Sequence, residues 1–156
     1  KLGIPIMFAI IGGDVRQFKP LVEYYAEEYK NAGHDVHKME IGVHSHTYIA
    51  ETRETVIKDY APVYNRHMNK MSAERRWGAR FTEQQFVNGM DEHGALFMGS
   101  PDEVTEKIIN VIELFGLTRF VAHLDVGGPS HKELMRTIEL YGTKVIPAVK
   151  KHFAVI

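Results

Sequence analysis

The first apolar stretch, Ile4 to Ile11, is short and continuous, the pattern of a strand buried on both faces. Gly12-Gly13-Asp14 breaks it. From Arg16 to Ala32 the period becomes helical, with Phe18, Leu21, Val22, Tyr25 and Tyr29 on one face and Gly33 as the stop. Lys38 to Tyr48 alternates as a second strand, Ile41 and Val43 to one side, His44 and His46 to the other. Thr52 to about Met71 is a long polar helical region interrupted near Pro62. Beyond it, Trp77-Gly78 and Asn88-Gly89 mark loops around a short helix at Thr82 to Val87. Residues 51–94 together read as a helical insertion between core units. Leu96-Phe97-Met98 is strand-like. Pro101 to Phe115 carries a stripe of Val104, Ile108, Val111, Ile112 and Phe115, and Gly116 ends it. Arg119 to Asp125 is a third main strand. Ser130 to Tyr141 turns Leu134, Ile138 and Tyr141 inward. A last helical segment holds Val145, Ile146 and Val149, with Pro147 in its first turn or at a kink. Two helix starts, Ser100-Pro101-Asp102-Glu103 and Ser130-His131-Lys132-Glu133, fit the reciprocal Ser/Glu capping box. Main strands alternating with helices predict an α/β fold with parallel pairing.

Bulk composition narrows the function classes. The 156 residues suffice for one domain with a core, and 44% hydrophobic with 25% charged residues is ordinary for a globular chain. A net charge of −1 gives no general attraction to nucleic acid or anionic membrane. Without cysteine there are neither disulfides nor thiolate metal sites. No apolar run is long enough to span a bilayer and no signal peptide is visible, so a cytoplasmic location is expected. The chain enters its first apolar run directly from Lys1-Leu2-Gly3-Ile4-Pro5, with no initiating Met, which reads as a piece of a longer protein. Three parallel strands leave two open edges, so partner strands are expected before Lys1 or in a second copy, as a homodimer.

Several segments, in order, resemble the C-terminal part of the bacterial luciferase-like flavin-dependent monooxygenases. They are Gly3-Ile4-Pro5 with Ala9-Ile10-Ile11-Gly12-Gly13, then Val43-His44-Ser45-His46-Thr47-Tyr48-Ile49-Ala50-Glu51-Thr52, and then Gly99-Ser100-Pro101-Asp102-Glu103-Val104. Phe115-Gly116, Arg119-Phe120, Asp125-Val126-Gly127-Gly128 and Glu139-Leu140-Tyr141-Gly142-Thr143 complete the set. The resemblance implies the C-terminal part of a (β/α)8 TIM barrel, about three parallel strands with flanking helices and the helical insertion. It also implies an enzyme that oxidises a small organic substrate with reduced FMN and oxygen, or with a deazaflavin in some branches. Electrons would come from a nicotinamide donor or a partner flavin reductase. The family's substrate-side histidines and most of its flavin-phosphate contacts would then lie before Lys1.

In such barrels active-site groups sit at the C-terminal ends of strands. Three turns qualify. Gly12 and Gly13 follow the first strand, where glycine lets backbone approach a flat ring or phosphate; a tight turn alone accounts for them equally. His44 and His46 share one strand face and are the candidate catalytic side chains, able to hydrogen-bond a flavin carbonyl or substrate. Gly127 and Gly128 precede the helix start at Ser130, a candidate anion site; a capped helix satisfied by itself is the plainer reading. Gly12, Gly13, Gly127 and Gly128 are the expected cofactor-binding residues. A rival is a metal-dependent barrel hydrolase using His44, His46, His123 and Asp125. A second rival is a catalytically silent piece that pairs through its sheet edges. Tyr24, Tyr25 and Tyr29 read as packing residues, Arg75-Arg76 as solvated surface, and Trp77 as a helix-packing residue.

Overall fold

Proline and glycine bracket the first strand more tightly than its apolar length suggests. In the computed structural model, which describes residues 2–78 and 80–154, only Ile6–Ala9 pairs as β1. Asp14 then accepts the Arg16 N–H at 2.9 Å and starts a 3-10 turn that leads into α1, Lys19–Asn31. The second strand, β2, runs Ile41–Ile49. A helical stretch follows in three parts: α2 (Arg53–Thr55), a π-type turn (Val56–Tyr60) and α3 (Ala61–Glu74). Pro62 therefore does not break the helix. It sits at the start of α3, just past the widened turn, where a missing N–H is tolerated. Next come α4 (Glu83–Met90), β3 (Phe97–Gly99), α5 (Pro101–Phe115), β4 (Arg119–His123) and α6 (His131–Leu140). A second π-type turn (Tyr141–Val145) leads into α7 (Ile146–Ala154), with Pro147 in its first turn.

All the strand pairings are parallel, and β2 takes part in each of them. β1 and β4 flank its first half, with Phe8, Val43 and Phe120 in one row and Ala9, His44 and Val121 in the next. The short β3 pairs with its second half, Thr47 opposite Phe97. His44 accepts from the Ile10 N–H and Ala50 donates to Gly99, whereas Ile41 accepts from Thr118. Successive residues turn their backbone groups to opposite edges, so β1 and β3 follow one another along one edge of β2, and β4 occupies the other. Four strands thus stand where three main ones were expected. The β1–β2–β4 sequence is that of neighbouring barrel strands, and β3 is a short addition beside the overhanging end of β2.

Side chains from one sheet face and from the helices make the larger core: Ile41, Val43, Ile49, Phe97, Val104, Ile108, Val111 and Phe115, with Leu140 and Val145. A second core lies under α3 and α4, built from Tyr48, Val56, Tyr60, Tyr64, Phe86, Met90 and Met98. All three capping boxes, at Thr82, Ser100 and Ser130, are closed, and Gly116 ends α5 in the left-handed conformation with φ 63°.

Five local expectations change. β1 is not buried on both faces of the sheet, since Met7 is 45% exposed. Leu21 is exposed, and of the expected apolar face of α1 only Val22 and Tyr29 are buried, Tyr29 against the rings of Tyr25 and His34. Ile138 is exposed as well. The Thr137 hydroxyl donates to the Ile49 carbonyl at 2.9 Å, which turns that position inward and the next one outward. Asn88-Gly89 is the last turn of α4 and not a loop, with Gly89 allowing the Leu96 side chain against the helix. Among the described residues Trp77 packs in no helix interface. It is half exposed, with the Arg75 guanidinium over its ring at 5.3 Å.

Candidate active site

Strand alternation sorts β2 into two faces. Its odd-numbered residues, Val43, Ser45, Thr47 and Ile49, are buried on the helix side. Its even-numbered residues face the other way, and the parallel register lines them up with their neighbours. Met7, Gly42 and Arg119 form one row, Ala9, His44 and Val121 the next, and His46 stands opposite His123 in a third. The first two rows are open, with Met7 45% and Val121 37% exposed. The third row is half covered by α3 and lies toward the C-terminal ends of the strands. The predicted pair His44 and His46 is therefore brought together with His123: the rings of His44 and His46 lie 5.0 and 5.4 Å from that of His123, centroid to centroid.

The two best-placed histidines have opposite partners. His123 Nε2 lies 3.0 Å from an oxygen of Asp125, an ion pair at the surface when the ring is charged. Its Nδ1 is buried and has no hydrogen-bond partner among the described residues. His46 instead meets a neutral phenol: its Nδ1 is 2.8 Å from the Tyr64 hydroxyl. Burial pushes the His46 ring down to about 4, with His123, His44 and His67 adding to the shift, so it is neutral at neutral pH. Burial, helped by His123, lowers His44 too.

Behind His46 stands an aromatic stack. Tyr48 and Tyr60 lie face to face at 3.8 Å, Tyr60 donates to the Val126 carbonyl at 2.6 Å, and Tyr64 contacts Phe81 and Phe86. Burial raises all three hydroxyls, Tyr48 to about 12. Tyr60 and Tyr64 were missed in the sequence reading. The signal was there, since Val56, Tyr60, Tyr64 and Met68 recur every four residues along the expected helix.

The glycine pairs sit at the same end of the sheet, after β1 and β4. A Cβ at Gly12 would meet nothing within 4 Å, so that turn stands open. The Gly13 carbonyl accepts from the Ala95 N–H at 3.1 Å, which ties the turn to the loop before β3. Gly127, with φ 79°, is needed for a protein contact: a Cβ there would press the Val63 carbonyl of α3 at 3.2 Å. Gly128 closes the turn by donating to the Asp125 carbonyl at 3.0 Å. The anion site considered at Ser130 is filled by the helix itself, because Glu133 accepts the Ser130 N–H at 2.7 Å and places its own carboxylate there.

Lys107 was also missed. It is only 6% exposed on α5 and donates to the carbonyls of Gly89, Met90 and Leu96, the last at 2.7 Å. Burial lowers it to about 7. Its partners make it a clasp between α5, the end of α4 and the residue before β3. Among the described residues no group of three or more His, Asp or Glu is placed to hold a metal ion, so the hydrolase rival gains no support.

A family model for luciferase-like monooxygenases matches residues 1–122. No curated protein sequence matches the chain. Among solved structures, the monooxygenase RslO1 of Streptomyces bottropensis is 18% identical with a TM-score of 0.65, over 93% of this chain and 42% of its own. The oxygenating constituent of 3,6-diketocamphane monooxygenase of Pseudomonas putida, solved with FMN, is 21% identical with a TM-score of 0.61, over 93% and 42%. The coenzyme F420-dependent tetrahydromethanopterin reductase of Methanopyrus kandleri is 20% identical with a TM-score of 0.60, over 92% and 44%. The chain thus spans less than half the length of these structures, and at such identities they establish the fold alone.

Proposed function

We propose a function from one premise: the chain belongs to the luciferase-like monooxygenase family. On that premise it is part of a flavin-dependent oxidoreductase that oxidises a small organic substrate with reduced FMN and oxygen, a deazaflavin being the other cofactor of the same shape. The reading is carried by the histidine row His46–His123, with His44 beside it, at the C-terminal end of the open sheet face. Met7, Ala9 and Val121 would lie against the flavin ring, and His44 and His46 would hydrogen-bond its carbonyls or the substrate. Gly12 and Gly13 would line the flavin side, where the open turn admits close backbone approach. Gly127 and Gly128 take a second place, holding the β4 turn against α3.

When bound, the cofactor supplies the redox chemistry, and the protein orients and shields it. In the overall balance one oxygen atom enters the substrate, the other leaves as water, and the reduced cofactor provides two electrons. The electron source, whether a nicotinamide donor or a reductase partner, belongs to the same proposal. Titration of FMN and of coenzyme F420 with the purified chain, followed by cofactor fluorescence, tests it. Saturable quenching of one of them, weakened severalfold in the His44→Ala/His46→Ala double variant, is the expected result. Unchanged fluorescence of both at saturating protein overturns the reading for this chain.

A further inference from the structure

We infer that Tyr64 is a positioning residue: its buried hydroxyl donates to His46 Nδ1 and so fixes His46 as an Nε2–H donor for whatever occupies the open face. The role as a donor to a ligand rests on the proposed reading of that face; the tautomer itself does not.

The argument is one of hydrogen-bond accounting. Tyr64 has no exposed surface, and its hydroxyl lies 2.8 Å from His46 Nδ1. A phenol whose ionisation is pushed up by burial carries its proton at every ordinary pH. That proton needs an acceptor, and His46 Nδ1 is the hydroxyl's hydrogen-bond partner among the described residues. Were Nδ1 protonated, two donors would face each other unless the phenol O–H turned away into the aromatic core formed by Tyr60, Phe81 and Phe86. An unpaired buried donor is disfavoured enough to bias the tautomer roughly tenfold or more. Nε2 has no hydrogen-bond partner among the described residues and remains for the site. The titratable groups that bear on His46 are His44 and His123 from the sheet and His67 with Tyr64 from α3, none of them a carboxylate. The ring is thus held neutral and oriented, a fixed donor in place of a proton relay.

The test needs no cofactor. Long-range proton–nitrogen correlation spectra of the nitrogen-15-labelled chain at neutral pH report which ring nitrogen of His46 carries hydrogen. Wild type is expected to show a protonated Nε2 and a bare Nδ1. Tyr64→Phe keeps the ring and its packing, and is expected to shift His46 toward a mixture of tautomers, with at least a tenfold loss of preference. A protonated Nδ1 in wild type overturns the inference without any variant. So does a His46 spectrum unchanged in Tyr64→Phe. Failure of the cofactor titration with the expected tautomer intact would sink the proposed function and leave the Tyr64–His46 assignment standing.

Discussion

The two faces of β2 divide one nine-residue strand between them and differ in how they are covered. On the odd-numbered side Val43, Ser45, Thr47 and Ile49 are all at most 1% exposed, packed under α5 and α6 or hydrogen-bonded inward, as when Ser45 donates to the Ile10 carbonyl at 2.7 Å. On the even-numbered side His44 sits on open sheet and His46 is sheltered only because α3 folds over it. One face is closed by the strand–helix alternation itself. The other is closed only at its C-terminal end, by the helices between β2 and β3. Stability therefore concentrates on the first face, and the proposed chemistry lies on the second.

The sharpest way to break that contrast is to cut into the closed face. Ile49→Ala removes three carbons from a position 1% exposed, between the sheet and the Thr137 anchor. A loss of about 2–5 kcal/mol is expected in urea denaturation, because the surrounding core collapses only partly into the cavity. A loss below 1 kcal/mol would mean that the helix layer is not held against β2 as described.

The two faces were not equally legible in the sequence. Alternation at Ile41, Val43, His44 and His46 placed the histidines on one side correctly, because the strand period allows nothing else. Capping chemistry fixed the starts of α5 and α6 to the residue. The parallel α/β class followed from the order of elements. What stayed hidden depends on contacts distant along the chain. Nothing near Phe97 says that it joins β2, and nothing near Lys107 says that three carbonyls will receive it. The partners of His46 and His123 come from α3 and from the end of β4, so the spacing His44-x-His46 could nominate the residues without assigning their states.

An acid titration probes the sheltered end of the open face. In the folded chain His46 titrates at about 4, against 6.5 for an unperturbed ring. Between those values the unfolded chain binds a proton that the folded chain refuses, so stability falls as pH drops from 6.5 toward 4. About 1–3 kcal/mol should be lost across this window, and no more from this group below it. His46→Gln should flatten that part of the stability profile in chemical denaturation at stepped pH. An equally steep profile in the variant would assign the acid sensitivity to other groups and show that burial does not shift His46.

The smallest effect on stability should come from the fully open part of that face. Val121→Thr keeps the shape of a side chain 37% exposed beside His44 and replaces one methyl by a hydroxyl, which water can satisfy. Thermal and chemical unfolding should shift by no more than about 0.5 kcal/mol. The same hydroxyl would press against an apolar ring bound on this face, so cofactor affinity should fall severalfold while stability holds. That separation is expected of a side chain that meets the bound ring and packs against little else within this chain. A stability loss above about 1.5 kcal/mol would instead show that Val121 is packed in solution, since only a buried hydroxyl without a partner costs that much. The open face would then be a core that something already covers, and the histidines beside it would be structural.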